Sequence, residues 1–177
     1  MKLVHPMNAV KPANPPREVW VFLLVRCPVE NPKYFAPLGM WPRVLQVVRD
    51  GWACPPGVIV QPGEAIVDAA RRVADALGIK LPKGAALLAV DQQPAIDGEQ
   101  DEELAFVFDG GSAAEDAFAD LPRDQVEVEW SAVENLERVA LVHALRTRLL
   151  AVEPPVLVEG MLPPEPGRGK GDGARDE

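Results

Sequence analysis

Two acidic and two basic side chains stand close together between residues 68 and 75, namely Asp68, Arg71, Arg72 and Asp75. Carboxylate oxygens are the ligands that hard dications such as Mg²⁺ prefer, and guanidinium groups bind phosphates through paired hydrogen bonds. Side chains four residues apart share one face of a helix, so Asp68 with Arg72 and Arg71 with Asp75 can also neutralise each other. The ion-paired helix is the expected arrangement, and the two binding chemistries are its alternatives.

The element that would carry these charges is a predicted helix from Ala65 to Leu77. The segment is rich in alanine and contains no glycine or proline, which favours a helix. Pro62-Gly63-Glu64 precedes it, and Gly78 follows it, where glycine commonly ends a helix. The charged residues are therefore predicted to lie on one well-defined helix.

Apolar patterning predicts strands on both sides of this helix. Later in the chain it predicts a short helical turn at Ala132 to Leu136 and an amphipathic helix at Val139 to Val152. This mixed order of strands and helices indicates an α/β fold. The predicted strands are Arg17 to Cys27, Arg43 to Arg49, Val58 to Val60, Ala85 to Asp91, Leu104 to Phe108 and Val126 to Trp130.

Three connections between these elements have recognisable turn chemistry. Asp50-Gly51 is typical of a hairpin, and Asp109 before Gly110-Gly111 predicts a turn that ends a strand. The acidic run that contains Glu99, Asp101, Glu102 and Glu103 predicts a solvated loop between two antiparallel strands.

The length of 177 residues has room for one hydrophobic core, and one domain is predicted over residues 17–160. Residues 1–16 hold four prolines without a hydrophobic period and predict an irregular arm. Residues 161–177 predict a disordered tail, because from Pro163 onward only proline, glycine, alanine and charged residues occur.

The formal net charge of −9 argues against a nucleic-acid polymer as partner, since phosphate backbones are repelled and no basic stripe is present. A small phosphorylated ligand stays compatible, because a local pocket can be positive on a negative protein. No apolar run approaches the roughly 20 residues that a membrane helix needs, and no signal peptide is recognisable. We therefore expect a cytoplasmic protein without membrane contact.

The stretch Trp52 to Ile79, WACPPGVIVQPGEAIVDAARRVADALGI, resembles the signature of the Nudix hydrolase superfamily. That signature runs glycine, five residues, Glu, seven residues, Arg-Glu, an aliphatic residue, one residue, Glu-Glu, one residue, glycine and an aliphatic residue. Aligned without gaps, this box from Gly57 to Ile79 keeps the glycine, arginine and aliphatic positions but loses nearly all of its acids. The matching residues are Gly57, Arg71, Val73, Gly78 and Ile79, and the four glutamate positions hold Gly63, Arg72, Asp75 and Ala76.

The resemblance extends outside the box, over roughly Glu18 to Val152. RVLQVVRDGW is similar to the strand and turn that lead into the box, LLAVDQQP and LAFVFDGG to the next two strands of many bacterial members, and VEWSAVENL to a Trp-containing strand and short helix. The fold that it implies is a Nudix-type α/β/α sandwich, with a mixed sheet between two helices. Glu64 meets the first glutamate position if an extra residue near Gly57 is balanced by a deletion near Ala70.

In the family, glutamates on the box helix hold Mg²⁺, which neutralises a diphosphate and activates water. Here the formal charge of the three helix positions changes from about −3 to 0 when side chains are counted. The resemblance therefore implies no metal cofactor, or only weakly bound Mg²⁺ or Mn²⁺ held by Glu64, Asp68 and Asp75. A metal-free phosphate site at Arg71 or Arg72 is a further alternative.

The function that follows is that of a pseudoenzyme: a ligand-binding or protein-interaction module, non-catalytic or strongly impaired, that can form a homodimer as family members commonly do. The alternative is an active hydrolase of a nucleoside diphosphate linked to another group, with Glu64, Arg71 and Asp75 as catalytic residues in a shifted register. The candidate ligand-binding residues are Gly57, Trp52 and Arg72. Trp52 either anchors its loop in the core or lines a base-stacking pocket.

Overall fold

A mixed β-sheet forms the centre of the computed structural model, which describes residues 17–27, 42–49, 51–96, 101–121 and 126–163. The predictions for the arm at 1–16 and for most of the tail lie outside the described residues. Within the described ranges the strands are β1 Arg17–Arg26, β2 Val44–Arg49, β3 Trp52–Cys54, β4 Gly57–Ile59, β5 Leu87–Gln93, β6 Glu102–Ser112, β7 Glu127–Ser131 and β8 Val156–Val158. The helices described are α1 Ile66–Ala76, a 3₁₀ helix Val133–Asn135 and α2 Val139–Leu150.

The strand order in the sheet is β3-β2-β1-β6-β5-β8, with β4 added to β1 and β7 added to β2. The pairs β1 with β6 and β5 with β8 are parallel, and the other pairs are antiparallel. The predicted antiparallel pairing of the strands on either side of the acidic loop is confirmed by β5 and β6.

Strand β1 is buried on both faces and divides the core in two. Val21, Leu23 and Val25 pack with the buried side of α1, whereas Phe22 and Leu24 pack with α2. Alternate side chains of a strand point to opposite faces, so one continuous apolar run serves both helices. The predicted α/β/α sandwich with a mixed sheet is confirmed.

Helix α1 lies within one residue of its predicted bounds. Its alanine-rich sequence lets the helix approach the sheet closely, and Ala69, Ala70, Val73 and Ala74 are buried there. Gly78 has φ +67°, a conformation in which glycine has no steric penalty, and the Gly78 N–H donates to the Asp75 carbonyl 3.1 Å away. None of the described helices is long and apolar enough to cross a membrane.

The turn predicted at Asp109 to Gly111 is wrong, because β6 continues through these residues to Ser112. The pairing with β1 passes from Leu24 opposite Asp109 to Val25 opposite Gly111, so Gly110 is an extra residue in the ladder. A Cβ atom on Gly110 would lie 2.7 Å from Val25 Cγ2. The two glycines therefore form a bulge in close contact with β1 and do not end the strand.

Two short strands, β3 and β8, were not predicted. Each has three residues, too few for an alternating pattern to be recognised in the sequence. Strand β3 pairs with β2 after Gly51, which confirms the predicted hairpin, and β8 adds to the far edge of the sheet beside β5. Tertiary pairing supplies the hydrogen bonds that stabilise both.

Removal of core volume beneath α2 is expected to destabilise the fold. Leu145 is fully buried between α2 and the sheet, and Leu145→Ala is expected to lower the free energy of unfolding by about 2 to 5 kcal/mol. Leu150 on the same helix is 60% exposed, so Leu150→Ala serves as the control and is expected to change it by less than about 0.5 kcal/mol. Urea denaturation measures both, and equal effects would contradict the packing described here.

Candidate functional site

The box segment forms β4, a connecting loop and α1, in that order. Strand β4 pairs with β1, with Gly57 opposite Phe22. A Cβ atom on Gly57 would lie 2.3 Å from Phe22 Cδ1 and 2.8 Å from the Val21 carbonyl oxygen. Gly57 is therefore required for the close approach of β4 to β1, and its role in ligand binding stays a prediction.

The loop between β4 and α1 closes on the helix through Glu64 and Arg72. Arg72 Nε donates to Glu64 Oε1 at 3.0 Å, and Arg72 Nη2 donates to Glu64 Oε2 at 2.9 Å. Arg72 Nη2 also donates to the Ile59 carbonyl at 2.9 Å, and the Gln61 N–H donates to Glu64 Oε2 at 2.8 Å. This bidentate ion pair, together with the hydrogen bond to Ile59, joins the end of β4, the loop and α1.

A turn at Pro62-Gly63 presents Glu64 to this ion pair. The Glu64 N–H donates to the Gln61 carbonyl at 2.9 Å, and Gly63 has φ +80°. The hydrogen bonds from Arg72 and from the Gln61 N–H hold the pKa of Glu64 below its ordinary value. The same pair raises the pKa of Arg72, so both groups are charged at neutral pH.

The ion pairs predicted along α1 are wrong. Arg71 pairs with Asp68, three residues earlier, and Arg72 pairs with Glu64 in the loop. The guanidinium of Arg72 reaches both oxygens of Glu64 together with a backbone carbonyl, a set of acceptors that Asp68 on the same helix does not offer. The exposed pair of Arg71 and Asp68 contributes little by comparison.

Seven residues separate Glu64 from Arg72, the same number as the signature has between its first glutamate and its arginine. A one-residue shift of the whole box would therefore bring Glu64 to the first glutamate position and Arg72 to the arginine position. Continued into the helix, that shift would place the family's other glutamates at Val73, Ala76 and Leu77, but Val73 and Leu77 are buried in the core. The helix therefore keeps the ungapped register, in which these positions are Arg72, Asp75 and Ala76.

Strand, loop and helix thus occupy the places that the resemblance implies, on a mixed sheet with a second helix behind it. This α/β architecture is consistent with the Nudix-type fold that the resemblance implies. Its helix retains one acid, Asp75, at the three positions where the Nudix signature has glutamates.

The groups around the Nudix box do not fit a Mg²⁺ site as they are arranged here. Mg²⁺ needs several oxygen donors in near-octahedral order, and both oxygens of Glu64 already accept hydrogen bonds from Arg72 or Gln61. Among the described residues, no group of three or more histidine, cysteine, aspartate or glutamate side chains is placed to hold one ion. Metal binding by Glu64, Asp68 and Asp75, and catalysis by Arg71, stay predictions.

Trp52 lies in β3 with 67% of its surface exposed, so the interpretation as a core anchor is wrong. Its backbone pairs with Arg49 on β2. A role in ligand binding stays a prediction for this residue.

A cavity of about 590 Å³ lies beside the residues that lead into the box, Cys54 and Pro55. The cation in its lining is Arg138, whose guanidinium pairs with Glu103 and stacks over Phe22 at 4.4 Å from the ring centroid. The acids of the lining are Glu18, Asp101, Glu103, Glu137 and Glu159. Five acids to one arginine make this cavity negative, and it would repel a diphosphate.

No sequence pattern indicated this cavity. Glu102 and Glu103 were predicted in a solvated loop, whereas they begin β6, and residues 97–100 of that loop lie outside the described residues. The lining comes from the ends of strands and connections far apart in the chain, so no local motif could have indicated it.

No family model matches the sequence, and no curated protein matches it. Similar solved structures include a MutT protein from Methanosarcina mazei Go1, with 20% identity, 80% of this chain and 99% of that chain covered, and a TM-score of 0.49. A Nudix hydrolase from Nitrosomonas europaea has 15% identity, coverages of 77% and 90%, and a TM-score of 0.46. The Nudix hydrolase RenU from M. smegmatis has 21% identity, coverages of 75% and 83%, and a TM-score of 0.38. Similarity at this level does not bear on activity, substrate or metal.

Loss of the Glu64 carboxylate is expected to destabilise the protein in a pH-dependent way. Because the folded pKa of Glu64 is lowered, its ionised form stabilises the fold above the ordinary value of 4.5, and this contribution is lost as the pH falls through the lowered pKa. Glu64→Gln should therefore unfold at lower urea than the parent at pH 7, with the difference shrinking below pH 4.5. Glu134→Gln removes an exposed carboxylate elsewhere and is the control; a similar pH profile for both variants would contradict the role of Glu64.

Proposed function

We propose that this chain is a Nudix-superfamily protein that has lost metal-dependent hydrolysis and serves as a ligand-binding or protein-interaction module. The observation that supports the proposal is the ion pair between Glu64 and Arg72. It places a permanent cation against the acid that aligns with the first signature glutamate.

The electrostatics of the box support the same proposal. Hydrolysis of a phosphoanhydride requires that metal ions neutralise the diphosphate and activate the attacking water. At the three glutamate positions of the helix, Arg72 and Asp75 cancel in charge and Ala76 contributes none. Displacing Arg72 from Glu64 to admit Mg²⁺ would break two charged hydrogen bonds.

The negative cavity beside the box favours a neutral or cationic ligand over a diphosphate. A phosphorylated ligand would therefore have to bind elsewhere on the protein. Binding of a protein partner and formation of a homodimer remain part of the proposal as alternatives for the module.

A hydrolysis screen tests the proposal directly. Nucleoside diphosphate derivatives linked to sugars, nucleotides or alkyl groups are incubated with the protein and Mg²⁺ or Mn²⁺, and product release is followed. Turnover far below the order of 1 s⁻¹ of an ordinary enzyme is expected. Turnover near that rate that disappears in Glu64→Gln would establish the alternative, an active hydrolase in a shifted register.

Restoring acids to the box should create the metal site that the parent lacks. Arg72→Glu with Ala76→Glu releases Glu64 and adds two carboxylates beside Asp75. Mn²⁺ at ten times its dissociation constant would stabilise this variant by about 1.4 kcal/mol, or roughly 3 to 6 °C in melting temperature. The parent is expected to show no such rise.

The matched control for this variant is Arg71→Glu with Ala76→Glu, which makes the same change in charge but keeps the pair of Arg72 and Glu64. It is expected to respond to Mn²⁺ no more than the parent does. A rise in the parent that is lost in Glu64→Gln would overturn the proposal.

A further inference from the structure

A second cluster of charges lies on the face of the sheet opposite α1. Arg26 is the last residue of β1, Asp109 lies beside it in β6, and Arg148 belongs to the last turn of α2. Arg26 follows Leu24 by two residues and therefore shares its face, the one that packs against α2. The cluster is thus separated from the box by the thickness of the sheet.

Among the described residues, Asp109 is the only carboxylate that pairs with Arg26 and Arg148. Its hydrogen bonds come from the Gly111 N–H and from Arg148. Its Oδ1 accepts the Gly111 N–H at 2.9 Å, and its Oδ2 accepts Arg148 Nε at 2.6 Å. Arg26 Nη2 stands 3.6 Å from Oδ1, beyond normal hydrogen-bond distance. Arg148 is thus the closer partner of Asp109, and Arg26 forms only a longer ion pair with it.

Arg26 is a buried cation that is incompletely satisfied. Its side chain is 13% exposed, and its Nε is buried without a hydrogen-bond partner. Burial is the main cause that lowers the pKa of Arg26, and the like charge of Arg148 lowers it further, against the opposing effect of Asp109. A buried donor without an acceptor is unfavourable, so this position would gain from an added anion.

We propose that Arg26 and Arg148 form a binding site for a tetrahedral oxyanion, either inorganic phosphate or the phosphate group of a small molecule. Two guanidinium groups that share one carboxylate leave a net charge of +1, and guanidinium groups bind phosphate oxygens through paired hydrogen bonds. Arg148 is 47% exposed and offers an approach from solvent. The site lies apart from the box and does not depend on the function proposed above.

The local positive charge at Arg26 and Arg148 contrasts with the negative net charge of the protein. With a net charge of −9, the surface as a whole repels phosphate, so saturable phosphate binding requires a local excess of positive charge. The cavity beside the box is negative and cannot supply it. The cluster at Arg26 and Arg148 combines such an excess with an unsatisfied donor.

Calorimetric titration with inorganic phosphate tests the proposal on the full chain, with EDTA present to exclude metals and sodium chloride used to hold the ionic strength constant. Saturable binding to the parent is expected. Arg148→Gln should weaken it by about tenfold or more, the effect of losing one charged hydrogen bond. Arg146→Gln removes the same charge from an exposed position two residues away on α2 and is expected to stay within about twofold of the parent.

Arg26→Lys keeps the charge but removes the planar guanidinium, and it is expected to weaken phosphate binding because lysine cannot donate paired hydrogen bonds to the anion. Circular dichroism shows whether Arg26→Lys is folded. If it is unfolded, the proposal is judged on Arg148→Gln alone. No saturable binding to the parent, or equal loss in Arg148→Gln and Arg146→Gln, would overturn the proposal. Because neither hydrolysis nor metal is measured, failure here is distinguishable from failure of the proposed function.

Discussion

The ion pair between Glu64 and Arg72 is the contact on which the geometry of the box depends. It connects a turn, the end of β4 and the helix through charged hydrogen bonds to both carboxylate oxygens. Glu64, the acid of this pair, is one of the residues that are predicted to hold a dication. The interaction that orders the loop therefore also removes the oxygens that Mg²⁺ would need.

The second constraint is the close packing of the sheet against two helices. Val73 and Leu77 occupy the core face of α1, which fixes the rotation of the helix and leaves Arg72, Asp75 and Ala76 toward the loop and solvent. Gly57 and Gly110 bring neighbouring backbones too close for any side chain. These contacts determine where the charged side chains of the box lie.

Charge is divided between separate regions of the molecule. The cavity beside the box gathers acids from the ends of several elements, while the excess of positive charge lies on the α2 face of the sheet at Arg26 and Arg148. Without a bound cation, the negative cavity offers a diphosphate only the positive charge of Arg138.

The sequence by itself determined the class of fold, the course of α1 and the loss of acids in the box. Apolar periodicity, alanine content and the positions of Gly57 and Gly78 are local properties, and local steric and hydrogen-bonding preferences act on them directly. It did not determine the short strands β3 and β8, because three residues form a strand only when a neighbour offers its hydrogen bonds.

Only the tertiary structure decided which charges meet. The pairing of Arg72 with Glu64 instead of Asp68, the continuation of β6 through Asp109 and the contacts of that carboxylate all depend on elements distant in sequence. Helical spacing shows which side chains share a face, but the partner of a long arginine is chosen by every acceptor within its reach. Those acceptors are brought together by folding, and their arrangement follows from packing across the whole domain.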